Sequence, residues 1–165
     1  MATVKIPLDV TQAVPASSNG PQFNVAANGT RYLAFDAATE ETCIFPYIIA
    51  QSYGSGNLTL NVFWAAALAT AGDVIWGCAI AAQTPNTDSE AADSYGLATA
   101  QTVTDTHLGT TASRVHQTAI TISNLDSLAA DDRIVLSFYR DADAAGDTMT
   151  GDAWLLALEL TYSDT

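Results

Sequence analysis

Residues 58–64 read Leu58-Thr59-Leu60-Asn61-Val62-Phe63-Trp64, so Leu58, Leu60, Val62 and Trp64 recur at every second position. An extended strand turns such a set onto one face, whereas a helix would scatter it around the axis. Ala119-Ile120-Thr121-Ile122-Ser123 alternates in the same way. Runs of this kind recur along the chain and predict strands over Arg31–Phe35, Thr42–Ala50, Asn57–Leu68, Asp73–Gln83, Leu97–Val103, Gln117–Ser123, Arg133–Arg140 and Asp152–Tyr162. The breaks between them, such as Gly54-Ser55-Gly56, Thr70-Ala71-Gly72-Asp73, Pro85-Asn86-Thr87-Asp88 and Asp141 to Gly151, carry the residues that turns require. Alanine makes helix the competing reading at Ala65–Ala71 and Ala129–Asp132, but each stretch is short and follows a strand-like run. The expected fold is all-β: a two-sheet antiparallel sandwich, jelly-roll-like.

Residues 1–30 differ from the rest. They are nearly free of charge and rich in Ser, Asn, Gly and Pro, as in Pro15-Ala16-Ser17-Ser18-Asn19-Gly20-Pro21. One short strand, Val4 to Leu8, is expected there, within an extended N-terminal arm that either wraps its own domain or reaches a neighbour. Residues 31–165 form the sandwich domain.

Charge narrows the partners. The chain of 165 residues has 18 acidic side chains against 5 Lys and Arg, a net charge of −13. Nucleic acid needs clustered cations to replace phosphate counterions, and anionic membranes need the same, so both are disfavoured. Charged residues are only 14% of the chain, against roughly 25% in ordinary domains, which leaves the surface to Thr, Ser, Asn, Gln and Ala. No apolar run approaches the ~20 residues that span a bilayer, and the N-terminus lacks the apolar stretch of a secretion leader. Cys43 and Cys78 lie in apolar strands and read as buried thiols, with a disulfide between sheets as the alternative.

Four constellations could carry chemistry. Asp141, Asp143, Asp147 and Asp152 lie in one turn-rich segment and could offer hard oxygen ligands to calcium, although the spacing is not that of an EF-hand; a solvated loop is the competing reading. Ser113, His116 and Asp105 could be written as a triad, but no Gly-x-Ser-x-Gly elbow accompanies them, and His107 and His116 read as surface loop residues. Glu159 alternates with Leu158 and Leu160 and is expected on the solvent or subunit-contact face. Trp64, Trp76 and Trp154 have apolar flanks and read as core, which leaves Tyr53 and Tyr95 as the aromatics expected to face a ligand. None of these supports catalysis, so no enzyme and no required cofactor is expected. Asn28-Gly29-Thr30 and Asn57-Leu58-Thr59 match the glycosylation sequon, which matters only in a secreted eukaryotic protein.

Leu60-Asn61-Val62-Phe63-Trp64 followed by Thr70-Ala71-Gly72-Asp73-Val74-Ile75-Trp76-Gly77 resembles a block in structural proteins of tailed bacteriophages. Ala130-Asp131-Asp132-Arg133, Phe138-Tyr139-Arg140-Asp141, Gly146-Asp147-Thr148, Gly151-Asp152, Trp154-Leu155-Leu156 and Glu159-Leu160-Thr161-Tyr162 extend the likeness over roughly residues 31–163. The resemblance implies a jelly-roll virion protein, made in the host cytoplasm and carried on the capsid surface. As a decoration (cement) protein it would bind the major capsid protein as a homotrimer, using Val4, Lys5, Ile6, Pro15, Pro21 and Phe23 of the arm as contacts. The alternative is a receptor- or carbohydrate-binding module of a tail fibre or baseplate.

Overall fold

The structure is a computed structural model that describes residues 2–89 and 96–164. Among these lie eleven strands: β1 (Thr3–Leu8), β2 (Val14–Pro15), β3 (Gln22–Val25), β4 (Arg31–Phe35), β5 (Glu41–Ile48), β6 (Leu58–Ala66), β7 (Ala71–Gln83), β8 (Gln101–Leu108), β9 (His116–Ile122), β10 (Arg133–Arg140) and β11 (Ala153–Ser163). A single 3₁₀ turn, Val10–Gln12, follows β1; neither alanine-rich stretch forms a helix. Among the described residues no helix is long and apolar enough to cross a membrane.

One sheet runs β3-β4-β11-β6-β9, with β1 also on β11; the other runs β2-β5-β10-β7-β8. Every pairing is antiparallel. The expected β-sandwich is therefore present, and the alternation in β6 does what it predicts: Leu58, Leu60, Val62 and Trp64 are all fully buried. They meet the inward residues of the second sheet, with Phe35 edge-on to both Trp76 and Phe138 at centroid distances of 5.3 and 5.8 Å.

The eighth strand lies later than Leu97–Val103. Its Thr102, Thr104 and Thr106 are exposed on an edge strand, so apolar alternation is weak there and pairing with β7 sets the limits. Cys43 and Cys78 belong to the same sheet, not to opposite ones. Each pairs with Phe138 from a different side, which puts them two strands, about 9–10 Å, apart and out of disulfide reach. Both are free, and burial pushes the Cys78 thiol up to about 12 and Cys43 higher still.

The first thirty residues wrap their own domain. β1 pairs along its whole length with β11, from Thr3 opposite Ser163 to Leu8 opposite Leu158. β2 pairs with β5, and β3 with β4. Asp9 caps the 3₁₀ turn, accepting from the Thr11 N–H at 2.8 Å, while the Gln12 side chain accepts from the Asp9 N–H at 2.9 Å. Ile6, Leu8 and Val10 enter the core.

The segment after β10 is held by one buried cation. Arg140 is fully buried, and all five of its N–H groups are used. Nε and Nη2 donate to the two carboxylate oxygens of Asp147 at 3.0 and 2.8 Å, Nη2 also to the Met149 carbonyl at 2.8 Å, and Nη1 to the Gly151 and Phe35 carbonyls at 2.9 and 3.3 Å. Asp147 also accepts from the Ile75 N–H at 3.0 Å. Below Trp76 the strand β7 has run past the end of β10, and residues 141–149 take over its free edge: Asp141 N–H donates to Ile75 O, and Thr148 and Met149 N–H to Asp73 O.

Two outcomes follow for stability. Deleting residues 2–13 removes the β1 ladder and three core side chains, each contributing about 1.5–3 kcal/mol. The shortened chain should therefore lose its cooperative thermal transition in circular dichroism; a melt within a few degrees of the full chain would show the segment to be dispensable. Asp147→Asn leaves the Arg140 charge buried without its counter-ion and should cost about 3–5 kcal/mol in urea unfolding, whereas a loss under 1 kcal/mol would refute the anchoring role.

Candidate functional site

A cleft of aromatic character lies on the outer face of the first sheet. In β4 the alternation turns Leu33 and Phe35 inward and Tyr32 outward. In β11 Ala153 and Leu155 face the core, so Trp154 between them faces out. Trp154 is paired with Ala34, and Tyr32 is its diagonal neighbour across the strand pair. The two rings lie 4.6 Å apart and tilted by 34°.

A β-bulge widens this face. The pairing of β11 with β6 slips between Leu155 and Ala157, leaving Leu156 as an extra residue. Beyond it Leu158, Leu160 and Tyr162 point inward, where an unbroken strand would have sent Ala157 and Glu159. Leu156 stays beside Trp154, and with Ala65, Val115, Ala26, Asn28, Thr30 and Ser113 they line a cleft of about 220 Å³. Asn28 Oδ1 accepts from the Thr30 N–H at 3.0 Å, and Ser113 N–H donates to Ala66 O at 2.8 Å, so both polar corners are fixed by backbone contacts. No lining residue is charged.

Several expected site residues are elsewhere. Of the three tryptophans, Trp64 and Trp76 are core, but Trp154 is not; it is half-buried on the outer face. Tyr53, expected to be exposed, is buried: its hydroxyl donates to the Gly56 carbonyl at 2.8 Å, its ring packs edge-on to Tyr162, and burial pushes its pKa up. Tyr95 lies outside the described residues. Tyr32 was reachable from the alternation in Arg31-Tyr32-Leu33-Ala34-Phe35, and Trp154 from Ala153-Trp154-Leu155, but apolar flanks on both sides look the same for a core residue.

The arm contacts divide. Ile6 and Pro21 are buried and Val4 packs on the core, so none of the three is a free contact surface. Lys5 pairs with Glu159 at 3.2 Å, and Asn61 Nδ2 donates to the same carboxylate oxygen. Pro15 and Phe23 remain exposed.

The four aspartates also part company. Asp147 is spent on Arg140, and Asp152 sits with Gln22, Asp36 and Glu41 at another rim. Asp141 and Asp143 come together with Glu40, their ligand oxygens all within 4.8 Å of one another, and among the described residues these three carboxylates could hold a hard cation. Desolvation first, then the Asp143 and Asp147 carboxylates, raise the Asp141 pKa; desolvation, then Asp141 and Asp143, raise that of Glu40.

The triad does not assemble. Asp105 accepts from Trp64 Nε1 at 2.7 Å, and Ser113 is exposed in a left-handed turn conformation with φ 57°. The histidines are not surface loop residues: His107 is fully buried in β8, and His116 stacks on Trp64 at 4.8 Å.

No family model matches the sequence, and no curated protein matches it. Among solved structures, the C-terminal CBM6 of LamC, a marine laminarinase from Zobellia galactanivorans, is similar with a TM-score of 0.52 at 12% identity, over 98% of this chain and 100% of that one. A family 35 carbohydrate-binding module from Clostridium thermocellum gives 0.52 at 11% identity, over 95% and 97% of the two chains. The CBM35 from Cellvibrio japonicus Abf62 gives 0.50 at 13%, over 98% and 99%. At these identities the likeness establishes a shared β-sandwich fold.

The acidic trio yields a signed pH prediction. Carboxylates whose pKa is raised on folding bind protons more tightly in the folded state, so their repulsion is a cost above the raised pKa and is relieved as pH falls through it. Asp141→Asn should raise the melting temperature at pH ~7, and the gain should shrink towards pH ~4. A variant that melts lower at both pH values would show that Asp141 is stabilising.

Proposed function

We propose that this chain is a non-catalytic carbohydrate-binding module and that the Tyr32–Trp154 cleft is its binding site. The observation that carries the reading is an outward aromatic pair, on a rigid sheet, rimmed by the polar groups of Asn28, Thr30 and Ser113. A sugar ring has an apolar C–H face that packs on an aromatic ring and equatorial hydroxyls that need polar partners at its edge. The cleft offers both. Its ligand is neutral: the walls hold no cation, and the net charge of −13 repels polyanions. The fold shared with CBM6 and CBM35 modules supports this reading.

A capsid-cement role would draw on an N-terminal arm free to grip neighbours, and residues 3–25 instead contribute three strands to the chain's own sheets. That observation favours the binding-module reading. Given the resemblance to tailed-phage structural proteins, its setting in this proposal is a tail fibre or baseplate that contacts a cell-surface glycan.

Isothermal titration with a panel of neutral soluble polysaccharides, laminarin among them, and with polygalacturonate as the anionic control tests the proposal. A neutral glycan should bind, and Trp154→Ala should weaken it roughly thirtyfold or more without loss of the folded far-ultraviolet spectrum. Binding that survives Trp154→Ala unchanged would move the site elsewhere; no binding by any neutral glycan would reject the reading.

A further inference from the structure

The pair of strands that builds one wall of the cleft carries two histidines on its other side. Trp64 of β6 is paired with His116 of β9 and both face the interior, so their chain neighbours Ala65 and Val115 face outward and line the cleft. His107, at the end of β8 in the opposite sheet, meets His116 across the sandwich with ring centroids 4.9 Å apart. The turn 109–115 that joins β8 to β9 carries Ser113 and Val115 of the cleft wall.

The pair is built for neutral rings. His107 is fully buried, and Nε2 of both histidines is buried without a hydrogen-bond partner. The Nδ1 atom of His107 sits 3.0 Å from the Thr70 carbonyl and 3.2 Å from the Gly109 N–H. It can donate to the first or accept from the second, not both at once. An imidazolium always carries the Nδ1 hydrogen, so in that state the Gly109 N–H, at the first residue of the turn, has no acceptor there.

The charged groups around the pair are of both signs. Asp105 on β8 is engaged by Trp64 Nε1, and Asp73 on β7 by the Thr106 hydroxyl. Arg114 on the turn adds a like charge, while β6 and β9 contribute no charged side chain beside the rings.

We propose that the His107–His116 pair is a pH-sensitive latch on the cleft wall: protonation loosens the turn 109–115 and weakens ligand binding in mildly acidic medium. This deepens the carbohydrate-binding reading and rests on it for its effect on ligand, but the latch itself is a property of the fold. The direction agrees with the electrostatics of His116, whose pKa is lowered first by desolvation and then by His107, with Arg114 adding to this and Asp105 opposing it. A histidine with a lowered folded pKa binds fewer protons in the folded state, so stability is complete above its ordinary value of 6.5 and is lost as pH falls below it. Two imidazolium rings whose centroids lie 4.9 Å apart between the sheets would repel each other.

Amide hydrogen exchange on the full chain at pH ~7.5 and pH ~5, corrected for intrinsic rates and read beside the imidazole proton resonances, tests the latch. The Gly109 and Ser113 amides should lose protection on the order of tenfold more than amides of β10 as His116 titrates. His116→Phe keeps a ring on Trp64, His107→Gln keeps a side-chain oxygen that can accept from the Gly109 N–H, and the double variant, with no titrating ring left, should abolish that selective loss. The proposal is overturned if the native chain shows no selective loss, a result that needs no variant, or if the double variant without either imidazole opens equally. Titration with the same panel of neutral polysaccharides, laminarin among them, at both pH values separates the two ideas. Selective opening with no glycan bound at either pH leaves the latch and removes the carbohydrate reading; binding equally tight at both pH values, without opening, does the reverse.

Discussion

The guanidinium of Arg140 is the constraint around which one end of the sandwich is organised. A fully buried cation is tolerable only if every donor is met and its charge is balanced, and here one carboxylate and three carbonyls do both. Those partners come from the end of β4, from the long connection before β11, and from Asp147, which also ties β7. The interaction thus fixes where β11 begins, and with it the position of Trp154 three residues beyond Gly151. An apolar residue in place of Arg140 could fill the volume but could not hold three separate carbonyls in register.

From that anchored start, the outward face of β11 is set by pleat and bulge together. The pleat sends Ala153 and Leu155 inward; the extra residue at Leu156 then exchanges the two faces, so that Leu158, Leu160 and Tyr162 reach the core. The bulge leaves Trp154 and Leu156 together on the outer surface, where Tyr32 of the adjoining strand completes the aromatic patch. The segment first expected to be an arm closes the same sheet from the other side, since β3 borders β4 and β1 borders the second half of β11. It hides strand edges that would otherwise invite pairing with other chains.

Local alternation and turn chemistry by themselves determined the class of this protein: a strand such as 58–66 cannot bury its four large side chains in any other way, and β4, β7, β9 and β10 lie within two residues of where the pattern puts them. Net charge set an expectation about partners without reference to any contact. Tertiary structure alone decided the rest. Trp154 and Trp76 have similar apolar neighbours, and only pairing register with a bulge sends one outward and the other inward. Asp147 and Asp141 look alike in a turn, and only the arrival of Arg140 makes one an internal counter-ion while the other meets Glu40. His107 and His116 are separated by a polar turn that reads as surface, and they become an inward-facing pair because consecutive strands enter opposite sheets and face each other across the core. Side-chain periodicity is a property of one strand, whereas which face is buried and what it meets depend on how strands from distant parts of the chain are paired.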